Sequence, residues 1–339
     1  MKSTKAVVNQ LFEDNLLSNI AIRVGRKDGI LGELYLSKNA EITENTLFDM
    51  ASVTKVLSVT MLSLIALERG DIGLHDKVNR YFEVPPHNKE LEIFHLLTHT
   101  TGVGHRSLLG EGNNYDNIAE KILLLEGAPI GTKVDYSCPA FILMGKILEK
   151  VYGKRLDVLF KEKVATPLGM KSSTFLPDRS DASRFVNSNL SPDEFGLVND
   201  YNCRFLGGVA GNAGAFSTVS DMTRFAHMLL NGGAPLTGGE IFDLACKNHT
   251  PGIGQARGLG FLIVDDAYRQ TGSLFKIGSI GHCGHTGQSI FVDRENDLYT
   301  IILSDATVSV CKKVGFDAYS KVMAMREKLH NAINKDLEI

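Results

Sequence analysis

Between Val56 and Leu67 only Ser58, Thr60 and Ser63 interrupt a twelve-residue apolar run. Val56, Val59, Ile65 and Ala66 are mixed with Leu57, Met61, Leu62 and Leu64, so a helix here is apolar nearly all round. Such a helix is buried on most sides. It is too short to span a bilayer, which takes about 20 residues. The chain must therefore build a large core around it. The 339 residues suffice for one large domain or two interlocked ones, at about 100–200 residues each. A hydrophobic fraction of 43% excludes a disordered chain. The pattern predicts a helix over Phe48 to Arg69, with Gly70 as its C-cap.

Further helices are expected over residues 7–19, Leu91–Thr100, Cys138–Tyr152, Asp221–Leu230 (N-capped by Ser220) and Val314–Ile333. Ile20–Val24 and Gly32–Leu36 read as a hairpin about Lys27-Asp28-Gly29. Gly258–Asp265, Ser289–Asp293 and Leu298–Ser304 alternate like strands, the last two joined at Asn296-Asp297. Phe175–Ala215 has little periodicity, and long irregular segments in compact domains are usually functional or disordered. Strand patterns at both ends and helices between them suggest a sheet domain carrying a helical insertion.

Thirty-six basic against thirty-nine acidic residues gives −3, with no electrostatic footprint for nucleic acid. Cys138, Cys203, Cys246, Cys283 and Cys311 are odd in number and widely spaced. They read as reduced thiols. Glu13 and Asp14 interrupt what would be the apolar stretch of a leader peptide, so a cytoplasmic location is expected. His95 and His99 have metal-ligand spacing on a helix, but no carboxylate accompanies them, and they read as a packing pair. No metal or cofactor is expected.

Three clusters carry chemistry. Ser52-Val53-Thr54-Lys55 opens the buried helix, with Lys55 one turn from Ser52. A serine is a poor nucleophile until a base takes its proton, and a lysine serves as that base when burial or cations lower its pKa. A helix N-terminus also favours an oxyanion. Read alone, the pattern is equally that of a capping serine beside a solvated lysine. Tyr136, in Asp135-Tyr136-Ser137-Cys138, could relay protons or simply pack. Gly281-His282-Cys283-Gly284-His285-Thr286-Gly287 leads into a strand pattern, where glycines let a ligand approach the backbone.

Together these clusters resemble the serine β-lactamase and penicillin-binding-protein superfamily, in its class C-like branch. That branch holds class C β-lactamases, DD-carboxypeptidases, D-amino-acid peptidases and esterases. The order S-x-x-K, Tyr-x-Asn, Lys/His-x-Gly matches Ser52/Lys55, Tyr136 and His282/Gly284. Leu96–Gly102, Leu206–Thr218 and Gly281–Asp293 resemble further stretches of the same branch, so the likeness covers roughly residues 20–305. It implies an α/β (α+β type) fold of the β-lactamase/transpeptidase kind, mainly antiparallel. Residues 1–75 and 215–339 would form the sheet domain and 76–214 the helical insertion, with the active site at their junction.

The resemblance implies that Ser52 is acylated and that Lys55 and Tyr136 share the acid and base work. The backbone N–H groups of Ser52 and His285 would form the oxyanion hole. Cys138, His282, Gly284 and His285 would line the substrate site, His282 helping to bind a carboxylate or carbonyl. His285-Thr286-Gly287 also spells His-x-Gly, but the flanking residues favour His282. Cys138 stands where the branch usually has asparagine, and a thiol is only a weak donor. That should weaken recognition of acyl-amino substrates. Asn212 replaces a common histidine.

The expectation is a metal-independent serine hydrolase working through an acyl-enzyme on a small peptide, amide or ester, DD-carboxypeptidase-like, with β-lactams among its candidate ligands. The alternatives are a short-chain carboxylesterase and a non-catalytic homologue that binds ligand or assembles.

Overall fold

The computed structural model describes residues 1–189, 191–306 and 318–338. Its main sheet has six strands: β1 (Asn19–Arg26), β2 (Gly29–Ser37), β6 (Leu262–Ile263), β7 (Ile280–Cys283), β8 (Ser289–Asp293) and β9 (Leu298–Ser304). They are ordered β2-β1-β9-β8-β7-β6 and every pairing is antiparallel. Side chains alternate between faces along a strand. Ile20, Ile22, Val24, Phe291 and Ile302 pack under the terminal helices Lys2–Glu13 and Ala318–Leu337. Ala21, Ile290, Val292, Ile301 and Leu303 face the larger core. Both faces are covered, which is why β9 is buried at every residue, the polar Thr300 and Ser304 included.

A small antiparallel sheet joins β3 (Phe48–Asp49), β4 (Thr174–Phe175) and β5 (Ala215–Ser217), in the order β3-β5-β4. The apolar run is buried as expected, but its helix is shorter than the pattern suggests. Phe48 and Asp49 are strand, paired with Phe216 and Ser217, and the helix begins at residue 53. Hydrogen bonding to β5 overrides helical continuity there. Segment Lys55–Thr60 is π-wound before the α-helical Met61–Arg69, which Gly70 closes at φ +70°.

Other boundaries move for similar reasons. The first helix is Lys2–Glu13 rather than 7–19, because Asn19 already pairs with Ser37. Thr218, not Ser220, caps Val219–Leu230, its Oγ1 accepting from Asp221 N–H at 3.1 Å. Of Gly258–Asp265 only Leu262–Ile263 is strand. Leu91–Thr100 shortens to the helix Ile93–Leu97, and His99 lies beyond it at φ +58°. His95 and His99 therefore share no helix face. Cys138, Cys203, Cys246 and Cys283 are free, while Cys311 and the expected start of the C-terminal helix fall outside the described residues. No described helix is long and apolar enough to cross a membrane.

Candidate active site

Ser52 occupies the turn between β3 and the buried helix. Ala51 before it holds φ +45°, a left-handed conformation that costs a non-glycine residue about 1–3 kcal/mol. The surroundings hold it there. Asp49, fully buried, accepts from Ala51 N–H at 2.8 Å and from Asn199 N–H at 2.6 Å. Burial raises its carboxyl to about 6, against the pull of those two donors. β5 fastens both flanks: Met50 N–H donates to Ala215 O at 2.9 Å, and Ala215 N–H to Thr54 Oγ1 at 3.2 Å.

Lys55 is fully buried one turn further on. Its Nζ donates to Ser52 Oγ at 3.0 Å, to the Asn212 carbonyl at 3.0 Å and to Cys138 Sγ at 3.4 Å. An ammonium has three N–H donors, and these three acceptors and the Tyr136 hydroxyl share them. The Tyr136 hydroxyl hydrogen-bonds both Ser52 and Lys55. Cys138 opens the helix Cys138–Tyr152, capped by Ser137 Oγ accepting from Ala140 N–H at 3.1 Å. The loop carrying Asn212 can come this close because Gly211 has no side chain: a Cβ there would lie 1.9 Å from the Phe141 carbonyl.

These groups titrate as a set. Burial alone would strip the proton from Lys55, but the neighbouring Cys138 and Tyr136 outweigh it and hold Lys55 above the ordinary lysine value. Burial raises Tyr136, with Lys55 opposing. Burial also pushes the Cys138 thiol up, yet the Lys55 charge and a hydrogen bond from His105 bring it below the ordinary thiol value. Burial was expected to lower Lys55 and make it the base. Cys138 and Tyr136 oppose that pull, and the net direction for Lys55 is upward.

His99 braces Tyr136. Its Nδ1 accepts from Ser137 N–H at 3.0 Å, and its carbonyl accepts from Asp135 N–H at 2.9 Å. Its ring lies 4.7 Å from that of Tyr136. On the opposite side His282, on β7, lies 6.2 Å from the Tyr136 ring. His282 Nδ1 donates to the Cys283 carbonyl at 2.8 Å, which leaves Nε2 as an acceptor. That Nε2 is buried without a partner. Burial, together with the charges of Arg257 and Lys55, holds His282 well below its ordinary pKa. A neutral His282 offers a lone pair rather than a positive charge. His285 is exposed in the following turn.

Ser52, Tyr136, Cys138, His282, Gly284 and His285 line one cavity of about 640 Å³. Lys55 lies beneath it. The cavity also receives Asp200, Arg257 and His105. Leu109, Tyr201 and Met323 are exposed on its wall at 52%, 68% and 37%, so part of the surface offered to a ligand is apolar. All seven residues singled out in the sequence thus gather at one place. Sequence reasoning missed the bracing role of His99 and read it as packing. It also missed His105, Asp200 and Arg257, which come from loops and a strand-like stretch without a local pattern. Asn212 serves through its backbone carbonyl, which no side-chain motif announces.

The fold is that of β-lactamases and penicillin-binding proteins. The chain belongs to the Beta-lactamase family, whose pattern matches residues 6–318. A curated relative from Escherichia coli (strain K12), named "Putative D-alanyl-D-alanine carboxypeptidase", is 25% identical over 81% of this chain and 72% of its own. Among solved structures, EstCE1, described as a hydrolase with promiscuous acyltransferase activity, superposes with a TM-score of 0.75 at 19% identity. That match covers 98% of this chain and 97% of the other. A penicillin-binding protein homologue from Caulobacter crescentus also scores 0.75, at 16% identity over the same shares. At such identities these two structures speak for the fold alone. The family is, in general, one of serine hydrolases.

Proposed function

We propose that this protein is a serine hydrolase that acts through an acyl-enzyme on Ser52, on a small peptide, amide or ester carbonyl. The observation that carries the reading is Lys55 Nζ at 3.0 Å from Ser52 Oγ, buried beneath a cavity whose wall Tyr136 shares. An activated serine needs a base within hydrogen-bond reach and that base held by a third group.

Lys55 and Tyr136 share the base work: the pair accepts the serine proton when it is one proton short, with the Lys55 ammonium beside a Tyr136 phenolate. The ammonium stabilises the phenolate form and keeps Ser52 oriented. Ser52 Oγ attacks the substrate carbonyl carbon while its proton passes to Tyr136. The tetrahedral oxyanion is received by the N–H groups of Ser52 and His285. As the intermediate collapses, Tyr136 returns the proton to the leaving group. Water then attacks the Ser52 ester with Tyr136 again taking the proton, which it returns to Ser52 Oγ as the acid product leaves. His282, neutral with a free acceptor, would take a hydrogen bond from a substrate N–H or O–H.

A second reading, a carboxylesterase, is favoured by Cys138. A thiol held by Lys55 and His105 has little to offer a substrate amide, and the apolar wall suits an acyl chain. Intact-mass measurement after incubation with a fluorophosphonate, beside Ser52→Ala, tests the common core of both. A single adduct that vanishes in the variant is expected. No adduct on folded protein would favour a non-catalytic homologue instead.

A further inference from the structure

Arg326 is fully buried on the helix Ala318–Leu337. Moving a guanidinium out of water is costly unless its charge is compensated. Among the described residues no carboxylate lies within ion-pair distance of it. Its Nη2 donates to the Gly284 carbonyl and its Nη1 to Gln270 Oε1 at 2.7 Å, while Nε has no partner. The Gly284 carbonyl also accepts from Gly287 N–H at 3.1 Å.

That carbonyl belongs to the same peptide unit as the N–H of His285. A trans peptide is planar, so its C=O and N–H point in opposite directions. Donors that fix one fix the other. The Gly284 Cα is pressed against the turn that carries Ser52: a Cβ on it would lie 2.9 Å from the Met50 carbonyl and 3.2 Å from the Ala51 Cβ. Arg326 therefore grips, from behind, a peptide that borders the Ser52 turn on the β7 side. A charged donor on a carbonyl also polarises the peptide and strengthens its N–H.

We propose that Arg326 is a positioning residue for the oxyanion hole: its guanidinium orients and polarises the Gly284–His285 peptide so that the His285 N–H is ready for the oxyanion formed at Ser52. The inference rests on the proposed reading of Ser52 as nucleophile. It explains a buried cation that packing alone would replace with an apolar side chain. It also gives Gln270, on the cavity wall, a part in holding Arg326 in place.

The test is the rate constant for labelling Ser52 by a fluorophosphonate in the wild type, Arg326→Met and Arg326→Lys. In that reaction Ser52 Oγ bonds to phosphorus, fluoride departs and the serine proton passes to the base. Removing a whole oxyanion donor costs about 10²–10³ in rate, so misaligning one should slow labelling roughly 10- to 100-fold in Arg326→Met. Arg326→Lys should fall between, because an ammonium keeps the charge but loses the two-armed fork. Affinity for an arylboronic acid, which forms a tetrahedral anion on Ser52, should weaken by a similar factor. KM for a neutral ester should hold.

A purely structural role would lower the labelled fraction and the melting temperature, but leave the rate constant of the folded fraction alone. Equal rate constants in wild type and Arg326→Met overturn the proposal. Should Arg326→Met not fold, equal rates in Arg326→Lys do so. A wild type that never labels at Ser52 overturns the functional reading first, and this inference with it.

Discussion

Lys55 sets its ammonium among Ser52, Cys138, Tyr136 and the Asn212 carbonyl, so the serine and the thiol share one cation. Lys55→Met should therefore remove both the orientation of Ser52 and the charge that favours the Tyr136 phenolate. A loss of about 10²–10⁴ in kcat is expected on any ester that the wild type turns over, in the range typical of acid–base groups. Steady-state kinetics beside a melting curve separates this from unfolding. Cys138→Asn replaces a weak donor with an amide that has two donors and an acceptor. It should raise acylation by penicillin, read as the rate of penicilloyl adduct formation. An unchanged rate means that residue 138 does not set the preference for amides. Ser52, Lys55, Tyr136 and Cys138 were legible through the order of their motifs along the chain and the resemblance which that order carries, since each local pattern read alone fits ordinary capping or packing. The charge state of Lys55 was not, since it depends on groups more than eighty positions away.

At the scale of elements, close backbone approach decides the geometry. The helix Cys138–Tyr152 and the loop of Asn212 touch at Gly211, with room for a hydrogen and no more. Gly211→Ala would drive a Cβ into the Phe141 carbonyl, which is backbone and cannot rotate away. Overpacking of this kind costs about 1–3 kcal/mol. The urea midpoint should fall accordingly, and Ser52 labelling should slow because the Asn212 carbonyl moves off Lys55. A wild-type midpoint would show that the loop yields at no cost. The same logic explains which elements were misread in sequence. Phe48-Asp49 has the composition of a helix start, yet pairing with β5 makes it strand. Leu91–Thr100 reads as one helix, yet His99 turns left-handed and its ring and backbone engage the Tyr136 loop. Periodicity reports which residues are apolar, and distant hydrogen-bond partners decide where an element stops.

Across the whole molecule, histidines buried as neutral rings set an acid limit. His330 Nδ1 donates to the carbonyls of Gln270 and Arg326 at 2.9 Å each, and Nε2 accepts from Thr300 Oγ1 at 3.2 Å. Burial pulls its pKa down to about 4, against the two carbonyls that raise it. The unfolded ring takes a proton near 6.5, so between those values the unfolded state binds more protons. The stability His330 contributes is thus present above about pH 6.5 and lost as pH falls toward 4, up to about 3 kcal/mol. His99 and His282 act in the same sense, and Asp49, raised to about 6, in the opposite one. The melting temperature of His330→Gln should therefore fall less steeply than that of the wild type between pH 6.5 and 4.5. Parallel slopes would remove His330 from this role.

The sequence by itself determined the buried helix, the strands β8 and β9 with their turn, and the three clusters that carry the candidate chemistry. The helix and strands are written as local periodicity, and the clusters as short motifs whose order along the chain carries the resemblance. Only the tertiary structure decided that a strand of the small sheet holds Ser52 in its turn, that Cys138 and Tyr136 hold Lys55 above its ordinary value, and that His99 and Arg326 stand behind Tyr136 and the Gly284–His285 peptide. Those facts depend on contacts between residues far apart in the chain. Electrostatics and hydrogen bonding at a buried site respond to what lies within a few ångströms in space, and sequence distance carries almost none of that information.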